Sequence, residues 1–150
     1  MNAFDLAQRF IGEVREFPGT KHHPFIQWAH MLCNLDPDSP DEVPWCSSFA
    51  NAICWILRLP RSNSAAARSW LKVGTGINLI DVRPGDIVVL RRGTGPQPGP
   101  EVISAPGHVG FFAGYDVIPG SILVVGGNQS DGVTIQNFKN DLVLGIRRLR

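Results

Sequence analysis

Cysteine, charge and long apolar runs are all in short supply in this chain. Its three cysteines, Cys33, Cys46 and Cys54, form an odd number and no C-x-x-C pair. That excludes a disulfide framework and suits synthesis in a reducing compartment. Charged residues make up 18% and the net charge is +1. No global field therefore argues for nucleic acid, and the short basic clusters "LRRG" and "GIRRLR" read as solvated surface, with a role in holding an anionic polymer as the lesser alternative. No apolar run reaches membrane-spanning length, so stable membrane insertion is not expected. The opening "MNAFDLAQRFIGEVREF" is amphipathic and lacks the apolar stretch of a signal peptide. Cytoplasmic synthesis without a signal peptide is expected, and any action outside needs another carrier. Hydrophobic residues are an ordinary 43% of the 150 residues, enough for one domain over 1–150 with a real core.

The first half carries a helical period. Ala3 to Phe17, Phe25 to Leu35 and Cys46 to Leu59 read as helices, and "SNSAAARSWLKVG" as a fourth short one. "FPGTKHHP", "DPDSPDEVP" and Pro60 interrupt them. The period then changes. Asp86–Leu90, His108–Tyr115, Ser121–Gly127, Val133–Phe138 and Val143–Leu149 read as short strands. A long Gly/Pro stretch, "RRGTGPQPGPEVISAPG", precedes His108, where binding loops tend to lie. Helices followed by about five strands with short connections predict an α+β fold with an antiparallel sheet.

Two residues then attract attention. Cys46 follows Pro44-Trp45 and falls in the first turn of its helix. There the helix dipole and free backbone N–H groups favour a thiolate. Cys46 also heads the face formed with Phe49, Ala50, Ile53 and Leu57, which is expected to pack on the sheet. Cys54, mid-helix, and Cys33 read as small buried residues. His108 starts a strand in "GHVGFFAG", with glycines sharing its side. A helix-start cysteine and a strand-start histidine can make a nucleophile and its base. A third group should orient the imidazole. "GGNQ" offers Asn128, with Gln129 pointing the other way on a regular strand.

These motifs, "PWCSSFANAICWILRLPRSNSAAARSWL", "RPGDIVVL", "GHVGFFAGY" and "ILVVGGNQSDGV", together resemble the cysteine peptidases and amidases of the CHAP and NlpC superfamily. The resemblance is closest to small phage-type cell-wall hydrolases of the endolysin kind and spans roughly residues 4 to 149. It implies a papain-like core, a cysteine-bearing helix packed on an antiparallel sheet that carries the histidine. It assigns Cys46 as nucleophile, His108 as general base and Asn128 as the polar third residue. Many CHAP members carry an acid two positions earlier. Gly126 stands there instead, which leaves Asn128 or Gln129 to orient the ring. Asp86 in "PGD" is expected to fix a turn.

The implied reaction is hydrolysis of a peptidoglycan amide through an acyl-enzyme, at the muramoyl-alanine bond or within the stem or cross-link peptide. Glu42, Trp45, Trp70 and Gln129 are candidates to contact substrate. No cofactor and no metal are implied. "DPDSPDE" lacks the central glycine of a calcium loop and carries two prolines. His22, His23, His30 and Cys33 fit no common zinc spacing. "GTGPQPG" has no Lys-Ser/Thr and opens no helix, against a phosphate loop. Peptidoglycan is the expected partner of a monomer. A phage lysis enzyme reaching the periplasm or cell wall after holin action is favoured over an effector injected by a secretion system, which would bring an immunity protein. A non-catalytic wall-binding module and a deamidase or transferase acting on protein glutamines are the rival readings.

Overall fold

A computed structural model describes residues 1–18, 22–39, 44–93 and 96–150. The fold is α+β. Three α-helices, α1 (Ala3–Ala7), α2 (Pro24–Met31) and α3 (Cys46–Ile56), precede one antiparallel sheet. The sheet comprises β1 (Thr75–Gly76), β2 (Ile87–Arg91), β3 (Gly107–Tyr115), β4 (Ser121–Gln129), β5 (Gly132–Lys139) and β6 (Val143–Arg148). Its order is β1-β6-β2-β3-β4-β5. Five of these strands were legible from period and turn signals. The sixth, β1, is two residues long and pairs with β6, too short to leave a pattern.

The helices are shorter than their apolar period predicts. The first ends at Ala7, continues as a 3-10 turn over Gln8–Phe10, and stops at Gly12, whose φ of 81° turns the chain. The following residues become an extra edge on β5. Arg15 bridges Gly132, the Val133 N–H donates to the Val14 carbonyl at 3.1 Å, and the Glu16 N–H donates to the Asp131 carbonyl at 2.8 Å. Strand pairing at an open sheet edge therefore overrides helical period here. The second helix starts at Pro24, where φ is already set for a helix, and His23 Nδ1 accepts from the Phe25 N–H. The fourth expected helix is a 3-10 segment, Ala67–Lys72.

α3 is buried over most of its length, so both its faces are packed. Its Phe49, Ile53 and Cys54 join Trp45, Val89, Val109, Phe111 and Val125 in the main core. A side chain of this kind contributes about 1.5–3 kcal/mol when fully buried. The other face of the sheet carries a second core of Val88, Leu90, Phe112, Ile122, Val124 and Ile146, with no α-helical residue in it among those described. Asp86 does fix a turn. Its carboxylate accepts from the Arg83 N–H at 2.9 Å and pairs with Arg148 at 2.7 Å, tying the start of β2 to the end of β6.

Candidate active site

The site lies where the start of α3 meets the start of β3. Phe112 exchanges backbone bonds with the β2 side, its N–H donating to the Asp86 carbonyl at 2.8 Å. By alternation, Val109 and Phe111 turn their backbone groups to β4. Phe111 is matched there by Val125, but the register breaks between Gly126 and Gln129. This bulge leaves the Val109 N–H without a strand partner, and it faces the Cys46 thiol instead. The Ser47 and Cys46 N–H groups at the helix start face the same sulfur.

His108 is the residue before Val109. It pairs with Leu90 across β2, so its side chain belongs to the face opposite α3. Cys46 packs on the sheet as expected, with Val89, Val109 and Val125 in the main core, but the imidazole belongs to the other face. The thiol lies against the backbone of Val109, one residue along the strand from His108, at the gap that the bulge opens between β3 and β4. The ring stacks on Phe138, with centroids 5.5 Å apart.

Gln129 fixes the imidazole. Its Oε1 lies 2.8 Å from His108 Nε2. Its amide nitrogen donates to the Thr134 carbonyl at 2.8 Å and to the Val124 carbonyl at 3.2 Å. Two carbonyl acceptors fix which end of the amide is NH2, so the end facing His108 is the oxygen. The proton of the neutral ring then sits on Nε2, and Nδ1 keeps its lone pair. Gln129 is 3% exposed, which fits a group that holds the histidine rather than one that grips substrate. Asn128, expected on the orienting side by strand parity, sits in the bulge at φ 57° and lines a groove instead. The bulge reverses the parity on which that expectation rested.

The two glycines of "GGNQ" make this possible. A Cβ on Gly126 would stand 2.8 Å from Gln129 Oε1, so the amide occupies the space a side chain at 126 would need. A Cβ on Gly127 would stand 2.5 Å from the Trp45 ring and 2.7 Å from Phe49 Cβ, so α3 can approach only a bare backbone there.

Burial dominates the protonation of both groups. It pushes the Cys46 thiol above its ordinary value, against the opposing pull of the Val109 N–H, the Arg92 charge and the Ser47 and Cys46 N–H groups. The sequence-based expectation of a dipole-favoured thiolate is thus outweighed by desolvation. Burial likewise pushes His108 down to about 4, with the Gln129 bond opposing and the Arg92 charge adding to the shift. Near neutral pH the resting pair is a thiol and a neutral imidazole. Cys54 is fully buried, pushed up to about 12 by desolvation. Cys33 is also buried and raised by desolvation, with Ser48 opposing.

Trp45 and Trp70 are 0% exposed, which corrects their placement in a substrate groove. Trp45 packs under Gly127, and its indole donates to Glu16 at 2.8 Å. The Trp70 indole donates to Ser47 Oγ at 2.9 Å, bracing the helix start from below. Both are core anchors of α3. Glu42 lies outside the described residues, as does part of "DPDSPDE".

Two grooves border the site. One, of about 290 Å3, is lined by His108, Asn128, Gln129, Gln136, Arg91 and Arg92. The other, of about 650 Å3, runs past Pro44, Ala65, Ala66, Arg92, Pro106 and Gly107. The wall of the second is braced by Arg68. This fully buried guanidinium donates to the carbonyls of Pro98, Gly99, Val102 and Pro106, gathering the Gly/Pro loop ahead of His108. Sequence reading missed Arg68, Arg92 and Phe138. Only the Gly-Gly pair inside a strand pattern signalled the bulge.

Among the described residues no group of three or more His, Cys, Asp or Glu side chains is gathered to hold a metal ion, and no helix is long and apolar enough to cross a membrane. No protein-family model matches the chain, and no match is found among curated proteins.

Proposed function

We propose that this chain is a cysteine-dependent amide hydrolase of the CHAP and NlpC type, built on a papain-like core and acting on peptidoglycan. One observation carries the reading. A helix-start thiol faces the backbone next to a histidine whose Nε2 is held by a fixed amide. That arrangement leaves Nδ1 as the base and supplies N–H groups where an oxyanion would form.

In this reading His108 Nδ1 takes the Cys46 proton as Sγ attacks the amide carbonyl. The tetrahedral oxyanion is held by backbone N–H groups at the start of α3. Gln129 Oε1 accepts from the Nε2–H throughout and stabilises the imidazolium. The Nδ1 proton passes to the leaving amine as the C–N bond breaks, giving a thioester and a free amine. Water, deprotonated by the same nitrogen, then releases the acid and restores the thiol. Peptidoglycan as substrate rests on the resemblance of the four motifs, and lysis by a phage or delivery as an antibacterial effector are both compatible with it.

The test is digestion of purified peptidoglycan by the wild-type protein and by Cys46→Ala, His108→Ala and Cys54→Ala, with products identified by mass spectrometry. Products that vanish in the first two variants and persist with Cys54→Ala are expected, and their masses separate amidase from endopeptidase. A folded wild-type protein that binds peptidoglycan and releases nothing would move the assignment to a wall-binding module.

A further inference from the structure

Arg92 stands at the lip where the two grooves meet, since it and Gly93 line both. A substrate chain running from one groove to the other past His108 must cross this guanidinium. Arg92 is exposed and makes no hydrogen bond or ion pair among the described residues. Other arginines of the chain are engaged. Arg68 holds the loop carbonyls, Arg91 donates to the Asp141 carbonyl and Arg148 pairs with Asp86. No Asp or Glu lines either groove among the described residues. Among the described residues the grooves thus present this cation without a lining carboxylate.

We propose that Arg92 determines specificity by pairing with a carboxylate of the substrate, so that the preferred substrate is a peptide amide carrying a free carboxylate beside the bond that is cut. The proposal rests on the hydrolase reading above. A guanidinium suits the task because its fork matches a carboxylate with two parallel bonds.

The position also ties recognition to chemistry. The Arg92 charge acts on both the thiol and the imidazole. It aids a thiolate but disfavours the imidazolium that forms as Cys46 attacks. A carboxylate docked on Arg92 offsets that penalty at His108. The same carboxylate also offsets the aid to the thiolate, so the preference is expected chiefly in binding, where a neutral substrate meets the unshielded cation.

The experiment uses one batch of purified peptidoglycan, half of it left untreated and half amidated at its free carboxylates with carbodiimide and ammonia. Wild-type protein, Arg92→Gln, Arg92→Lys and Cys46→Ala are compared on both, after melting curves confirm that the variants fold. Wild type is expected to release products from untreated material about tenfold faster than from amidated material, the scale of a charge-assisted bond. Arg92→Gln should act on both at one slow rate, and Arg92→Lys should keep part of the preference. Equal wild-type rates on the two materials, or a preference that survives in Arg92→Gln, would overturn the assignment of Arg92 while leaving the hydrolase intact. Products that persist in Cys46→Ala, or none from either material, would instead overturn the hydrolase reading and this proposal with it.

Discussion

Gln129 reaches His108 through the space that position 126 leaves empty. Its Oε1 is 2.8 Å from His108 Nε2 and would be 2.8 Å from a Cβ on Gly126. A three-residue step across a bulge thus delivers an amide where a regular strand could not.

Replacing Gln129 by Leu leaves the Nε2–H of a buried ring unpaired. An unsatisfied buried donor costs about 1–3 kcal/mol, which is a loss of about 5- to 150-fold in kcat/KM if felt in the transition state. Gln129→Glu places a carboxylate beside the ring and should raise the histidine's pKa above its present depressed value. Steady-state rates across pH distinguish the two variants, since only the second shifts the acid limb.

Gly126→Ala and Gly127→Ala are adjacent substitutions with different expected consequences. The first pushes the Gln129 amide away from His108 and should lower kcat with little change in melting temperature. The second drives a methyl into Trp45 and Phe49 and should destabilise by about 1–3 kcal/mol, as overpacking does. Thermal melts measured beside turnover check both, and equal melting temperatures for the pair would contradict the packing described.

The burial of His108 has two consequences that depend on pH. In the proposed reaction the base, His108, is already deprotonated above about 4, so the acid limb of kcat/KM should fall near there rather than near 6.5. Stability follows the opposite bookkeeping of protons. Between 6.5 and about 4 the unfolded chain holds a proton that the folded ring refuses. Stability therefore drops as pH falls through that window and levels off below it, by on the order of 3 kcal/mol from this residue. Urea denaturation of wild type and His108→Ala at pH 7 and pH 4.5 should show a smaller loss in the variant.

Arg68→Met removes the donor shared by the Pro98, Gly99, Val102 and Pro106 carbonyls. The loop should become susceptible to limited proteolysis between residues 96 and 106, with a destabilisation on the order of 2 kcal/mol. Cleavage no faster than in wild type would show that the loop is held by something other than this side chain.

How much of this was legible beforehand depends on where the information sits. The period of "IVVL" and "FANAICWI" is a local property, so strands and the cysteine helix could be read from it. Cys46 and His108 stood out because the first turn of a helix and the first residue of a strand are local positions too. The choice between Asn128 and Gln129 was not local. It turns on a bulge that reverses strand parity, and on α3 pressing Trp45 against Gly127. Trp45 and Trp70 misled for a related reason. An aromatic beside a nucleophile looks the same in sequence whether it lines a groove or fills the core. Arg68 gave no warning, because its acceptors are backbone carbonyls, which the sequence does not distinguish.

The position of β6 in the sheet bears on when the candidate site is assembled as the chain folds. β6 pairs with β2 and so lies inside the sheet, between β1 and β2. β2 in turn supports β3 and His108, while Cys46 arrives on a helix that precedes them all. Cys46 and His108 are thus positioned only by contacts between segments far apart in the chain, a topology associated with folding in milliseconds to seconds rather than microseconds. A partly folded chain carries Cys46 before His108 is in place.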